Sequence, residues 1–278
     1  MEQGPSLLTK VPWLLAAAGG VYLLLLGVVY LLQEHLLYAP TRMSWPQTLE
    51  AAAGLGLRPW PDEARYFGLA GPPPAAPRGT VLLWHGNAGT ALDRMHYLEP
   101  LRRLGYQVVL LEYPGYGPRP GRPGERPLVA DALRATRAAL KEFQGPFFAW
   151  GESLGSGVAA HMAGALGNEF AGVVLITPWN RLPELAQCHY PFLPAKWLVR
   201  DRYDNLANLQ DFPGPIAILV AGEDDVIPPR HARRLYDGLP GPKRLWQFPQ
   251  AGHNSWPSAP EAAWWEEVAR FLESGRED

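Results

Sequence analysis

Two hydrophobic patterns divide this chain. Over residues 11–33 no position is charged, and leucine, valine and alanine follow one another without a polar face. As a helix these roughly 22 apolar residues extend about 33 Å, enough to cross a bilayer. A secretory signal has a shorter apolar core followed by a small-x-small cleavage site, whereas Ala16, Ala17 and Ala18 precede most of this run. The pattern predicts an uncleaved anchor rather than a signal or a buried amphipathic helix. From residue 65 onward the pattern changes to short apolar runs at 80–84, 107–111, 147–150, 216–220 and 245–248, separated by longer mixed segments. Runs of four or five consecutive apolar residues read as strands buried on both faces. Helices are expected at 93–104, at 127–143 and after residue 153, and residues 65–70 read as a first strand before a proline-rich loop at 71–77. Strands alternating with helices predict an α/β fold with a mostly parallel, doubly wound sheet.

The resulting organisation is a flank at 1–10, an anchor at 11–33, a connector at 34–64 and one folded domain at 65–278. Within the connector, Ser44 is the expected cap of a helix at 46–54. The chain of 278 residues leaves roughly 210 to 220 for the domain, ample for a core. A net charge of −2 gives no electrostatic reason to expect nucleic acid. The Arg- and Pro-rich stretch at 118–126 reads as a solvated loop. The single cysteine, Cys188, has no partner for an internal disulfide. No cofactor is expected, and His189 and His231 lack the spacing of metal ligands. Lys10 and the α-amino group lie on one side of the apolar segment and Arg42 on the other. This leans toward a domain on the outer, non-cytoplasmic face of the membrane.

The chemistry gathers at the ends of the predicted strands. Gly151-Glu152-Ser153-Leu154-Gly155 follows the run at 147–150 and leads into small and apolar residues that can open a helix. A serine on so sharp a strand-to-helix turn needs glycines two residues before and after it, where a Cβ would collide. His85-Gly86-Asn87-Ala88-Gly89 follows the run at 80–84 and can aim backbone N–H groups at an oxyanion. Asp224 or Asp225 follows the run at 216–220, and His253 follows the last strand. A serine, an acid and a histidine at strand ends are the parts of a nucleophile-base-acid relay. Glu152, His85, Glu112, Tyr113 and Tyr116 read as loop architecture, His161 as packing against the sheet, and one of Trp264 and Trp265 at least as facing the core.

The segments HGNAG, LEYPGYG, GESLGSG, GEDDVIPP and AGH resemble those of the α/β-hydrolase superfamily, and most closely its membrane-anchored ABHD-type branch of small serine hydrolases. The resemblance runs from about Arg65 to the C-terminus. It implies the α/β-hydrolase fold, with Ser153 as nucleophile, His253 as base, Asp224 as acid by its place four residues before Pro228, and the backbone N–H groups of Asn87 and Leu154 as the oxyanion hole. The implied reaction is hydrolysis of a carboxylic ester or thioester through an acyl-serine. Amide or peptide hydrolysis by the same machinery is the alternative within the fold, and a catalytically inactive membrane-tethered interaction module is the alternative outside enzymes. Only 71 residues separate Ser153 from Asp224 (224 − 153), too few for a large cap. Residues 177–213 supply a small flap at most, with most of its apolar side chains expected in the core. Trp179 and Trp256 are the expected substrate-pocket residues. An anchor close to the domain favours acyl-containing substrates: lysophospholipids, acylglycerols or acylated proteins.

Overall fold

The apolar runs become one eight-stranded sheet in a computed structural model that describes residues 7–275. Its strands are β1 (Arg58–Trp60), β2 (Gly68–Ala70), β3 (Gly79–Trp84), β4 (Tyr106–Leu111), β5 (Phe147–Glu152), β6 (Phe170–Ile176), β7 (Ile216–Ala221) and β8 (Lys243–Phe248). They lie in the order β8-β7-β6-β5-β3-β4-β2-β1. Neighbours from β8 to β4 are parallel, and β2 runs antiparallel to both β4 and β1. At the centre Leu82 of β3 stands level with Val109 of β4 and Ala149 of β5. Every residue of β3, β4 and β7 is buried, as strands covered on both faces by helices must be.

The covering helices make two cores, one on each face. On one face α4 (Glu125–Glu142) and α5 (Leu154–Ala165) pack Leu128, Ala135, Val158 and Met162 against Leu82, Ala149 and Val173. On the other, α3 (Leu98–Arg103) and α10 (Trp264–Ser274) pack Leu101, Trp265, Val268 and Phe271 against Val81, Phe148 and Leu219. Both Trp264 and Trp265 are buried. The helix expected at 93–104 begins earlier, as a 3-10 turn at Ala91–Tyr97, before α3.

Ahead of the sheet, α1 (Leu7–Leu37) carries the apolar stretch, and residues 11–37 are long and apolar enough to cross a membrane. The first six residues of the expected flank lie outside the described residues. Ser44 caps α2 (Trp45–Gly54) through a reciprocal box with Gln47. The sheet differs from expectation at its edge. It begins at Arg58–Trp60, inside the expected connector, while residues 65–67 are not a strand. Asp62 explains this, because its Oδ1 accepts the Ala64 and Arg65 amides at 2.9 Å each and turns the chain there.

The segment between β6 and β7 also departs from expectation. It folds as α6 (Leu182–His189), α7 (Ala195–Leu198) and α8 (Asn205–Leu209). Trp179, Leu182 and Leu185 are buried, but Phe192 and Trp197 are 90% and 72% exposed and Tyr190 is also open. Phe192 lies in the turn between α6 and α7 and Trp197 in α7 itself, and neither side chain enters a core.

Candidate active site

Ser153 is the single residue between the end of β5 and the start of α5. Its backbone sits at φ 51°, ψ −113°, a conformation a residue with a Cβ adopts only under strain, on the order of 1 to 3 kcal/mol. The surroundings leave no choice. A Cβ on Gly151 would collide with the Gly155 carbonyl, and one on Gly155 with the carbonyls of Trp84 and His85. The turn is held by the Ser153 amide, which donates to the Ile176 carbonyl at 2.9 Å, and by Ser156, whose hydroxyl donates to the Ser153 carbonyl at 2.6 Å.

The imidazole of His253 stands between Ser153 and Asp224. Nε2 is 3.0 Å from Ser153 Oγ, and Nδ1 is 2.8 Å from Asp224 Oδ2. A carboxylate only accepts, so Nδ1 carries the proton and Nε2 presents its lone pair to the serine hydroxyl. The other oxygen, Oδ1, accepts the Val226 and Ile227 amides at 2.9 and 2.7 Å. Asp224 is buried and fixed by three bonds, whereas Asp225 is exposed. Of the two acids left open by spacing, Asp224 is therefore the one in contact with His253.

The loop after β3 is fastened from below. His85 is fully buried, with Nδ1 2.7 Å from the Gly86 carbonyl and Nε2 2.8 Å from Glu112 Oε1. Glu112 also accepts the amides of Ala91 and Tyr113. Tyr113 and Tyr116 donate their hydroxyls to the carbonyls of His85 and Asn87, both at 2.7 Å. The Asn87 carbonyl also accepts the Ala39 amide, and its side-chain amide donates to the Leu37 carbonyl at 3.1 Å. Leu154 is the first residue of α5, so its N–H has no acceptor within the helix and lies where the helix dipole favours negative charge.

Two unlike surroundings meet at Ser153. On one side is a cavity of about 310 Å³ whose wall includes Ser153, Asn87, Leu154 and Trp179 together with apolar side chains such as Leu185, Leu193 and Ile227. Trp179 is held by its indole N–H, which donates to the Tyr203 carbonyl at 3.1 Å. On the other side Glu152 pairs with Arg94 at 2.8 Å and accepts the Tyr97 hydroxyl at 2.8 Å. Burial, and then the Glu152 charge, pushes the Tyr97 hydroxyl well above its ordinary range. Burial also lowers His96 beside it. Trp256 belongs here, against Tyr97, Trp264 and Trp265, and does not line the cavity. Its place one turn after His253 points it back over the sheet face that α10 covers.

Sequence reasoning missed two features. Arg94 lies in a short 3-10 turn with no motif around it, although its pairing with Glu152 puts it beside the elbow. The second is α1: Val29, Tyr30, Gln33, Glu34, Leu36 and Leu37 all line the cavity. No sequence signal marked this face, because the helix is apolar nearly all round. Among the described residues no group of three or more His, Cys, Asp or Glu is arranged to hold a metal ion.

Residues 75–200 match the family model described as serine aminopeptidase, S33. An uncharacterized protein of Mycobacterium tuberculosis is 36% identical over 181 residues, 63% of this chain and 62% of that protein. The lysophosphatidylserine lipase ABHD12 of Danio rerio is 33% identical over 177 residues, covering 56% of this chain and 46% of the lipase. The chain thus matches about half to three fifths of the length of these curated relatives. The solved structure of the Pyrococcus furiosus esterase Pf2001 superposes with a TM-score of 0.62 at 16% identity, over 85% of this chain and 97% of the esterase.

Proposed function

We propose, from the premise that this chain is an α/β-hydrolase of the ABHD type, that it is a membrane-tethered serine hydrolase cleaving carboxylic esters or thioesters of acyl lipids through an acyl-serine. The observation that carries the reading is the relay from Ser153 through His253 to Asp224, with bonds of 3.0 and 2.8 Å, opening onto an apolar cavity. A serine hydroxyl is a poor nucleophile at neutral pH. In the proposed reaction Ser153 Oγ attacks the carbonyl carbon while its proton passes to His253 Nε2, and Asp224 stabilises the resulting imidazolium. The negative oxygen of the tetrahedral intermediate receives hydrogen bonds from the Asn87 and Leu154 amides, each worth about 2.7 to 4 kcal/mol. Collapse transfers the Nε2 proton to the departing alkoxide or thiolate. Water, deprotonated by His253, then attacks the acyl-serine and regenerates Ser153.

Tethering is supported by the length and apolarity of α1, and an acyl substrate by the cavity wall and by lipase activity in the fish relative's name. The family model's name favours an amide as the second reading. Both are tested on the detergent-solubilised full chain with a fluorophosphonate probe, p-nitrophenyl esters and aminoacyl p-nitroanilides. Labelling lost in Ser153→Ala and ester turnover above anilide turnover are expected. Unlabelled wild type sinks the serine mechanism, and faster anilide cleavage moves the assignment to an amidase.

A further inference from the structure

The cavity beside Ser153 is not closed by the hydrolase domain alone. The last two turns of α1 form one wall and the segment from α6 to α7 forms the other. Along α1, Leu26, Val29, Gln33 and Leu37 are half-buried while Leu23, Leu24 and Leu31 are open, so one face of the helix is turned to the domain. Spacings of three and four residues are those of a single helical stripe.

Polar bonds fix that wall at both edges. Gln33 bridges to the flap, its Oε1 accepting the Arg200 amide at 2.7 Å and its Nε2 donating to the Leu198 carbonyl at 3.4 Å. Arg200 pairs with Glu34 at 3.1 Å. At its C-terminal end α1 is tied to the loop after β3 through the Leu37 carbonyl and Asn87 Nδ2. The Tyr22 hydroxyl donates to the Phe192 carbonyl at 3.1 Å. Tyr22 is eleven residues before Gln33, about 16 Å along the helix. The flap therefore climbs the same apolar helix that is read as the anchor, with exposed Phe192 and Trp197 at its tip.

We propose that α1 is a specificity-determining wall of an acyl-chain site: the chain of a bilayer-resident ester lies between the last two turns of α1 and the α6–α7 segment, with its carbonyl at Ser153. A simple tether would need no half-buried stripe, no capping bonds to the flap and no residue in the cavity lining. The occupant follows from the lining, in which apolar side chains such as Val29, Leu185, Leu193 and Leu198 predominate, with polar groups at Ser153 and Asn87, at His189 and where Gln33, Glu34, Arg200 and Asp201 gather at the rim. The site rests on the serine-esterase reading above, and deepens it by assigning chain-length choice to residues outside the hydrolase domain.

The test measures the ratio of kcat/KM for p-nitrophenyl laurate to that for p-nitrophenyl butyrate, on the full chain in detergent micelles. Val29→Trp and Leu36→Trp should each lower this ratio tenfold or more. Leu24→Trp, on the open part of the same helix, should keep the wild-type ratio. A fold can refuse a tryptophan, so Val29→Ala is measured alongside and should raise the ratio by enlarging the cavity. Equal ratios in Val29→Ala and in the folded tryptophan variants overturn the proposal. So does a fall as large in Leu24→Trp as in Val29→Trp. Ser153→Ala separates this inference from the one beneath it. If that variant still hydrolyses butyrate, the esterase reading itself fails, whereas Ser153-dependent turnover with unmoved ratios removes only the role of α1.

Discussion

The two sides of Ser153 are built by different means. On the polar side Glu152, at the end of β5, interlocks with Arg94 and Tyr97 of the 3-10 turn after β3, and an aromatic cluster of Trp256, Trp264 and Trp265 closes behind them. On the cavity side the walls come from residues near 30, near 180 and near 195, brought together over more than 150 positions of chain. On the first side the charges are nearly buried and paired. The second is a seam between α1 and the flap, held by a few bonds at its rim.

The sharpest test addresses what the two sides share. Ser153→Ala and His253→Ala should each lower turnover by about 10⁶-fold, and the double variant should be scarcely slower than either, because residues acting as one unit are not additive. Initial rates on one chromogenic ester decide it. Strictly multiplicative losses, or losses confined to long esters, would show that the serine belongs to only one side.

A smaller effect is expected at the acid. Asp224→Asn keeps the shape but offers His253 Nδ1 a side chain that can favour the wrong tautomer, so turnover should fall by roughly 10⁴-fold on short and long esters alike. Asp225→Asn should cost less than tenfold, since Asp225 is exposed and Asp224 holds His253. The reverse ranking would transfer the role to Asp225.

How much of this was legible in the sequence depends on the range of the contacts. The turn at Ser153 was readable because Gly151 answers a clash with Gly155 four residues on and Gly155 holds a fixed place in the motif, and Ser44 and Gln47 were readable as a cap because they too are close in sequence. Strand runs such as 80–84 and 216–220 were readable because burial on both faces removes every polar position. Edge strand β1 was not, since Arg58-Pro59-Trp60 has no such run and pairs on one side only. The cavity was the least legible. Its lining depends on where α1 leans, and a helix apolar all round carries no mark of the face it will bury. Trp256 misled for a related reason: proximity to His253 in sequence says nothing about which sheet face receives the ring.

The polar side can be opened by Arg94→Met. Arg94 is near-buried, and its charge is sustained against burial by Glu152, so the variant strands a carboxylate behind the elbow. Removing one partner of such a pair typically destabilises by about 3 to 5 kcal/mol when it is fully buried, and somewhat less here. Thermal or urea unfolding should show this loss, whereas the laurate-to-butyrate ratio should stay at the wild-type value. A changed ratio would mean that the two sides are coupled through Glu152, and the contrast between them would fail.

The cavity side has its own weak point in acid. His231 of α9 (Arg230–Gly238) is buried, and its Nδ1–H donates to Asn180 Oδ1 at 2.9 Å. Asn180 in turn donates to Glu184 in α6 and accepts the Leu206 amide, so this pair roots the flap. His231 Nε2 has no hydrogen-bond partner among the described residues. Burial, with Arg230 and Arg234 adding to it and Glu184 opposing, pushes the imidazole down to about 4 from an ordinary 6.5. The neutral form is thus favoured by folding, and the stabilisation is whole above pH 6.5. Between pH 6.5 and 4 the unfolded chain takes up a proton that the fold resists, so stability should fall by on the order of 2 kcal/mol at the acid end of that window. His231→Gln keeps a donor toward Asn180 and cannot titrate there. Urea midpoints for both proteins at pH 7.5 and pH 4.5 measure the difference: the wild type should lose more than the variant on acidification. Equal losses would mean that His231 binds its proton as readily in the fold as out of it, and that the seam beside Ser153 does not loosen through this residue.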